Sequence, residues 1–145
     1  MESLDFVPFS ESHFQNYESW FADDELSSRI EKPTKKWLQY IHSDPRAHAW
    51  AVFHDEALVG SVQVDEGTNG FGSVCVVVKP SIRNKGYGRS ILREVLKRQE
   101  LAYLLGFEGY VEPDNIPAQR CCEASGFHLS KPEPDEEGFL KYIYP

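Results

Sequence analysis

The order of the predicted elements indicates a mixed α/β domain built on a single sheet of about seven strands, with about four helices. The central observation is a helix with one apolar face, flanked by two runs rich in β-branched and aromatic residues. Such a βαβ unit places its two strands side by side and parallel, with a right-handed crossover. The rest of the 145 residues shows no linker-like stretch and no internal repeat. Residues 1–145 are therefore predicted to form one domain.

In the first half of the chain, apolar residues three or four apart predict helices, and β-branched or aromatic runs predict strands. Thr34 is placed to cap the second helix, and the polar pair Asp55–Glu56 to turn the chain between two strands. The predicted elements are, in order, a strand over Leu4–Phe9, helices over Glu11–Phe21 and Lys35–Ile41, strands over Ala49–His54 and Leu58–Asp65, and a fully buried strand over Gly72–Val78.

The second half contains the helix of the βαβ unit, whose apolar side chains fall on one face while its charged side chains lie elsewhere. The strand that follows it ends near Val111. Asn115 then caps the last helix, which Gly126 stops. The predicted elements are a helix over Arg89–Glu100, a strand entered through Leu101–Leu105, a helix over Ile116–Ser125, and a closing hairpin of Phe127–Lys131 and Gly138–Tyr144 around the loop Pro132–Glu137.

The chain carries 23 acidic and 15 basic residues, which gives a formal net charge of -8. The summed field repels phosphate backbones, so the composition argues against nucleic-acid binding. It favours a cationic partner such as an amine, although the same charge also serves solubility, and both interpretations stay open.

No segment of the sequence predicts membrane insertion or export. The longest apolar run, Val74–Val78, has five residues, against about 18 for a membrane-spanning helix. The acidic N-terminus lacks the apolar stretch of a secretory signal. Three cysteines, two of them adjacent, do not make a disulfide framework, so a reducing cytoplasm is expected.

The turn between the strand and the helix of the βαβ unit is basic and contains two glycines. Gly86 and Gly88 allow a tight turn and a close approach of the backbone to a ligand. The helix that follows presents unpaired amides and the positive end of its dipole at the same place. Because Arg83, Lys85 and Arg89 add positive charge, the segment predicts an anion site suited to a pyrophosphate. The alternative is an ordinary turn with solvated basic side chains.

Two common phosphate-binding motifs do not match this turn. The Walker-type Gly-x-x-x-x-Gly-Lys-Ser/Thr sequence is absent, and a dinucleotide fingerprint needs a third glycine where Ile91 stands. The five histidines show no metal-ligand spacing with the cysteines, so no metal is expected.

Arg83-Asn-Lys-Gly-Tyr-Gly88 instead resembles the Arg/Gln-x-x-Gly-x-Gly/Ala loop of the GNAT superfamily, the acyl-coenzyme A-dependent N-acetyltransferases. The stretch from Val111 through Asn115 to Ala118, followed by Gly126-Phe127, is similar to a second element of that family. Both motifs stand in the family's order, and the detailed match spans residues 74–128. The resemblance implies a GNAT-like fold with a central parallel βαβ unit and acetyl-CoA as co-substrate.

The resemblance also implies which residues hold the coenzyme. The backbone of Val76, Val77 and Val78 would pair with the pantetheine arm as another strand would. Amides of the loop and of the following helix start would hold the pyrophosphate. Asn115 would contact the coenzyme where the parallel strands diverge, or serve only to cap its helix. The expected loop residues are Arg83, Asn84, Lys85, Gly86, Tyr87, Gly88, Arg89 and Ser90.

Acetyl transfer needs an acceptor for the amine proton and a donor for the leaving thiolate. Many members of the family place an acidic tyrosine seven residues after the motif asparagine. Here that position is Cys122, which is a candidate proton donor or else a packing residue. The strand glutamate that the histone-acetylating branch uses as its base would align near Gly72, so it is missing here. Glu108, on the strand beside the expected cleft, is therefore the first candidate base. The other candidates are Glu112, Glu66 and Asp65.

The predicted function is therefore transfer of an acetyl group from acetyl-CoA to a primary amine of a small molecule or protein, by direct attack. The alternative is a non-catalytic CoA-binding regulatory domain that keeps the loop but has lost the acid and base. Residues 120–127 are similar to a run in ribosomal-protein and aminoglycoside N-acetyltransferases, which favours a cationic acceptor. Trp20 and Trp37 are candidates for lining the acceptor pocket, and an exposed sheet edge is compatible with a homodimer.

Overall fold

The computed structural model describes residues 3–145 and confirms a mixed α/β fold with a parallel βαβ unit. Its strands are β1 (Asp5–Pro8), β2 (Ala47–His54), β3 (Ala57–Glu66), β4 (Phe71–Val78), β5 (Gly106–Val111), β6 (His128–Leu129) and β7 (Leu140–Tyr144). Its helices are α1 (Glu11–Ser19), α2 (Asp24–Arg29), α3 (Lys35–Ser43), α4 (Tyr87–Val95) and α5 (Ile116–Ala124). The seven strands join one sheet in the order β1-β2-β3-β4-β5-β7-β6.

The pair β4–β5 is parallel, and the other described strand pairs are antiparallel. The pairing of β4 with β5 runs only from Phe71–Gly106 to Ser73–Glu108. Beyond Ser73 the two strands diverge, while the other edge of β4 stays paired with β3 as far as Val78. The edge of β4 over residues 74–78 therefore has no neighbouring strand, and a gap opens here that we call the β4–β5 cleft.

Helices cover both faces of the sheet and divide the core in two. On one face, α4 and α5 pack over an aliphatic core that includes Val52, Val62, Val64, Ile91 and Val95. On the other face, α1 and α3 cover β1 to β4 with an aromatic cluster that includes Phe9, Tyr17, Trp20 and Phe21. Since side chains alternate along a strand, each residue of β3 and β4 is assigned to one of these faces by its position.

The helix of the βαβ unit is shorter than predicted. The sequence predicts it over Arg89–Glu100, whereas α4 begins at Tyr87 and ends at Val95. Arg98 takes an extended conformation and lays its guanidinium over the rings of Phe6 and Trp50, 5.3 and 5.4 Å from their centroids. Helical periodicity cannot predict this contact, because its partners are on strands that are distant in the sequence.

The helix α2 is missing from the sequence-based prediction. Only Leu26 of its six residues is buried, so no apolar face marks it. Its local signals are the cap Asp23, whose carboxylate accepts a hydrogen bond from the Leu26 amide at 2.9 Å, and two acids in the first turn.

The strand β4 is not fully buried, contrary to the prediction for Gly72–Val78. Cys75 is exposed, and Val74, Val76 and Val78 are only half-buried. The reason is the free edge of β4 beyond Ser73, which removes a neighbour that a central strand of a closed parallel sheet would have.

The closing hairpin is confirmed, but its strands are shorter than predicted. The carboxylate of Asp135 accepts hydrogen bonds from the amides of Glu137 and Phe139, both at 2.9 Å, and holds the end of the loop in a turn. The turn at Asp55–Glu56 is also confirmed, with φ values of 50° and 67° at its two residues.

Candidate active site

The β4–α4 loop closes one end of the β4–β5 cleft. Asn84 (φ 62°) and Gly86 (φ 88°) both adopt the left-handed conformation, which reverses the chain before α4. Among residues 3–145, no protein group accepts a hydrogen bond from the amides of Gly86 to Arg89, and the helical ladder begins with Ser90 N–H donating to Gly86 O at 3.1 Å. Four amides at the positive end of α4 are thus available to an anion, which fits the predicted site.

The side chains of this loop divide into anchors and exposed cations. The Arg83 guanidinium forms an ion pair with Asp23, and the Tyr87 hydroxyl hydrogen-bonds to His54 Nδ1 at 2.7 Å. These contacts fasten the loop to the start of α2 and to the end of β2. Lys85 and Arg89 are exposed and have no ion-pair partner among the described residues. Of the three predicted cations, these two are therefore available to bind an anion, whereas Arg83 is already paired with Asp23.

Gly88 lies in the first turn of α4 and faces the cleft. A Cβ added to it would lie 3.6 Å from Val78 at the end of β4 and 3.9 Å from Cys121 on α5. Because Gly88 has no side chain, a space stays open between α4, α5 and the end of β4, and a Cβ would fit into it without a clash.

On the other side of the cleft, α5 begins at Ile116, and Asn115 is its N-cap. The Asn115 carboxamide accepts a hydrogen bond from the Ala118 amide at 3.3 Å, so it caps α5 as predicted. Its contact with a coenzyme stays a prediction.

The helix α2 spans the mouth of the cleft, and ion pairs fasten both of its ends. At its start, Asp23 pairs with Arg83 of the β4–α4 loop. At its end, Arg29 binds Glu112 at 3.2 Å and Asp114 at 2.7 Å, both in the β5–α5 loop. The hydrogen bonds from these arginines lower the pKa of Asp23 and of Asp114. No local pattern in the sequence predicts this arrangement.

A cavity of about 180 Å³ adjoins β4 on the face that α1 and α3 cover. Its walls include the rings of Tyr17 and Trp37, and its floor is formed by β3 and β4 through Ser61, Gln63, Cys75 and Val77. The cavity is next to the strand segment that the sequence assigns to the coenzyme. Trp37 lines it, whereas Trp20 lies in the aromatic core and Trp50 on the opposite face of the sheet.

Glu108 lies where β4 and β5 begin to diverge, and its side chain is on the same face as this cavity. It pairs across the strands with Ser73 and is only 7% exposed. Its Oε1 accepts a hydrogen bond from Asn69 at 3.0 Å and lies 3.3 Å from Lys141 Nζ, while its Oε2 accepts from the Tyr110 hydroxyl at 3.1 Å. The carboxylate is thus fixed in place at the inner end of the cleft.

The other three candidate bases are in different places. Asp65 is on β3, where it pairs with Ser73, and its side chain is on the same face of the sheet as that of Glu108. Glu112 is engaged by Arg29 at the mouth of the cleft. Glu66 lies on the opposite face of the sheet and binds His48 at 2.6 Å, so the structure does not bring it to the cleft.

Cys122 is on α5, and its side chain is buried in the core between this helix and β5. A Cβ added to Gly109 would lie 3.7 Å from its sulfur. Burial, together with Cys121 and Glu123, raises the pKa of the Cys122 thiol to about 12. A thiol with such a pKa is a poor donor to a leaving thiolate with an ordinary pKa of about 8.5. These features favour the packing alternative, while a role as proton donor stays a prediction.

The sequence profile described as the acetyltransferase (GNAT) family matches residues 14–127. The chain belongs to the GNAT acetyltransferase family. The match includes both motifs, the βαβ unit and the helices that line the cavity. As the sequence motifs predicted, this GNAT protein is an N-acetyltransferase.

Relatives match the chain in sequence, and a solved structure matches it in fold, over most of its length. The GNAT chain is 27% identical to the uncharacterized N-acetyltransferase YfmK of Bacillus subtilis, over 99% of this chain and 98% of the relative. It is 28% identical to a streptothricin acetyltransferase of Escherichia coli, over 88% and 75% of the two chains. The crystal structure of spermidine N-acetyltransferase from Vibrio cholerae superposes with a TM-score of 0.82 at 15% identity, over 98% and 94%.

Residues 3–145 contain no group of three or more His, Cys, Asp or Glu side chains arranged to hold a metal ion. None of the helices in that range is long and apolar enough to cross a membrane.

Proposed function

We propose that this GNAT protein transfers the acetyl group of acetyl-CoA to a primary amine of a small cationic molecule by direct attack. The observation that carries the proposal is the divergence of β4 and β5 beyond Ser73, with unpartnered amides at one end and a cavity beside it. The strand edge gives an extended arm a backbone to pair with, and the amides give a pyrophosphate its donors.

In this proposal the coenzyme extends along the cleft. Its pantetheine arm pairs with the free edge of β4 at Val76 to Val78. Its pyrophosphate accepts hydrogen bonds from the amides of Gly86 to Arg89, with Lys85 and Arg89 as the neighbouring charges. Asn115 contacts the arm from the far side of the cleft while it caps α5.

The acceptor amine enters from the cavity and attacks the thioester carbonyl. A carbon–nitrogen bond forms and the carbon–sulfur bond breaks, while a backbone amide of β4 donates to the carbonyl oxygen. Glu108 takes the amine proton through a water molecule, because its carboxylate is held at the inner end of the cleft on the cavity side. The departing thiolate takes a proton from water, or from Cys122 if the prediction for that residue holds.

The acceptor class rests on charge and on relatives. A chain with a formal charge of -8 attracts cations. The E. coli relative is named for streptothricin, and the Vibrio cholerae structure for spermidine. We also expect the protein in a reducing cytoplasm, in agreement with its free Cys75, Cys121 and Cys122. A homodimer stays a prediction, which sedimentation equilibrium tests.

The decisive experiment separates coenzyme binding from transfer. Acetyl-CoA and CoA are first titrated by calorimetry, and we expect micromolar binding of both. Release of the CoA thiol is then followed with streptothricin, spermidine and a lysine peptide as acceptors, and we expect release with at least one of the two polycationic small molecules. Absence of binding at millimolar coenzyme would overturn the cleft assignment. Binding without thiol release from any acceptor would instead favour the non-catalytic regulatory alternative.

A further inference from the structure

We propose that the cavity beside β4 is a cation-binding site charged by Asp65, so that the acceptor carries a second positive charge besides the amine that is acetylated. The identification of the occupant as the acceptor rests on the proposed function. The charge of the cavity does not, and it can be measured without any acetyl transfer.

Both side chains that donate hydrogen bonds to the Asp65 carboxylate are neutral. Its Oδ1 accepts a hydrogen bond from the Tyr40 hydroxyl at 2.8 Å, and its Oδ2 accepts from Gln63 Nε2 at 2.9 Å. No Lys, Arg or His of residues 3–145 forms an ion pair with it. Neutral donors stabilise the carboxylate but do not cancel its charge, so a negative field remains at this end of β3.

Gln63 links this charge to the wall of the cavity. Its amide nitrogen donates to Asp65, and its Oε1 accepts from the Trp37 indole N–H at 2.9 Å. Both ends of the Gln63 amide are thereby used, and the Trp37 ring is held 5.7 Å from the Tyr17 ring. The cavity thus has two aromatic rings in its wall and a carboxylate one side chain behind it, an arrangement suited to an organic ammonium group.

The other charges near the cavity stand largely in opposite pairs. Arg46, which lies near Tyr40, is 3.7 Å from Asp44. Glu31 and Lys32 are both exposed at its rim and have opposite signs. Glu108 is balanced by Lys141 at 3.3 Å. Asp65 lies close to the cavity floor, since Cys75 pairs with Gln63, two residues from Asp65 on the same face of β3. Desolvation on the cavity floor, and then the charge of Asp65, raise the pKa of the Cys75 thiol to about 11.

The position of Asp65 also fits an acceptor with two charges. Asp65, Ser73 and Glu108 stand at the same register on β3, β4 and β5. Two strand spacings put the backbone of Asp65 about 10 Å from that of Glu108. An acceptor whose reacting amine approaches Glu108 would therefore place a second ammonium near Asp65.

Cys75 provides a reporter for the charge, since its thiol lines the cavity and is exposed. We would measure its rate of modification by a cationic and by an anionic methanethiosulfonate reagent, each divided by the rate with a free thiol. Peptide mass spectrometry separates Cys75 from Cys121 and Cys122. The ratio of the two rates reports the electrostatic potential at Cys75, because any change in the thiolate population of Cys75 affects both reagents equally.

In the unmodified sequence we expect the cationic reagent to be favoured about tenfold or more. Asp65→Asn should bring the ratio close to one. Tyr40→Phe is the matched control, because it removes the other hydrogen bond to Asp65 and keeps the charge and the link to Trp37. A ratio near one in the unmodified protein, or no change in Asp65→Asn, would overturn the proposal.

A second measurement uses acetylation itself. The kcat/KM for 1,5-diaminopentane should exceed that for 5-amino-1-pentanol about tenfold, and Asp65→Asn should remove the preference. Equal values for the two amines would contradict a second charge in the acceptor. If neither amine nor any other releases CoA while the reagent ratio stays high, the cation site stands and the acetyltransferase proposal fails.

Discussion

Glu108 and Cys122 were both assigned to proton transfer from the sequence, but their surroundings differ in kind. Glu108 is buried among polar partners, which hold both of its oxygens at the inner end of the cleft. Cys122 is buried among apolar ones, in the core beneath β5. A buried carboxylate with three partners keeps a defined position for proton transfer, whereas a buried thiol chiefly fills space.

Glu108→Gln should lower kcat/KM by about 100-fold or more, because the amide keeps the shape of the carboxylate but accepts no proton. The binding constant for acetyl-CoA should not change. Glu66→Gln is the matched control, since Glu66 lies on the opposite face of the sheet. Equal kcat/KM for Glu108→Gln and the unmodified protein would show that another group is the base.

Cys122→Ala should leave kcat within about twofold and lower the free energy of unfolding by about 1 kcal/mol, the usual cost of a methyl-sized void. Urea unfolding and steady-state kinetics measure the two effects. A fall in kcat of tenfold or more, in a protein that still binds acetyl-CoA, would restore the role of Cys122 as proton donor.

At the scale of the elements, two glycines of the β4–α4 loop have different duties. Gly86 is left-handed, so any side chain there strains the turn itself, by about 1 kcal/mol or more. Gly88 stands within α4, and the nearest atom to an added Cβ is 3.6 Å away. A substitution at Gly88 therefore tests whether a ligand occupies this space, whereas a substitution at Gly86 also strains the turn.

Gly88→Glu should weaken acetyl-CoA binding about 100-fold or more, a loss of about 2.7 kcal/mol, because it puts bulk and negative charge between α4, β4 and α5. Calorimetric titration measures it, and the thermal unfolding midpoint should move little. Gly86→Ala is the comparison, since it should lower the midpoint clearly. Undiminished affinity in folded Gly88→Glu would mean that the coenzyme does not occupy the cleft.

On the scale of the whole molecule, ion pairs join segments that are distant in the sequence. Arg83 reaches Asp23 across 60 residues, and Arg29 reaches Asp114 across 85. Through these pairs α2 connects the two loops at the mouth of the cleft. Since such pairs are solvent-accessible, each contributes modestly to stability, and their main effect is to set where α2 lies.

The stability of the protein should therefore fall in acid. Arg83 and Arg29 lower the pKa of Asp23 and of Asp114 in the folded state below the ordinary value of 3.8. The resulting stabilisation is complete above that value, and it is lost as the pH falls through the lowered folded-state pKa, because the unfolded chain takes up its protons first. Urea unfolding at pH 6 and at pH 3 measures the loss.

Arg29→Gln should reduce this difference between the two pH values, since Asp114 then titrates near its ordinary pKa. Arg120→Gln is the control, because Arg120 is exposed and forms no ion pair with any of residues 3–145. An unchanged acid dependence in Arg29→Gln would show that the pair with Asp114 does not contribute to it.

Much of the fold was predictable because its signals are local. Thr34 and Asn115 cap the helices that the sequence assigns to them, and their side chains accept hydrogen bonds from amides three residues on. The β-branched run before Val78 and the apolar face of α4 marked the βαβ unit. The end of α4 was not predicted, since no local pattern marks the extended Arg98 and its contact with two distant rings.

The sequence by itself determined the α/β sheet and the turn around Gly86, because both depend on the local backbone preferences of neighbouring residues. It also determined the GNAT family, because the motifs of that family are short runs of neighbouring residues. Only the tertiary structure decided which acids face the cleft, since Glu108 and Asp65 share one face with the cavity while Glu66 lies on the other. The position of α2 and the Asp65–Gln63–Trp37 chain were likewise settled by folding. Their partners are far apart along the chain and meet only when the sheet has formed.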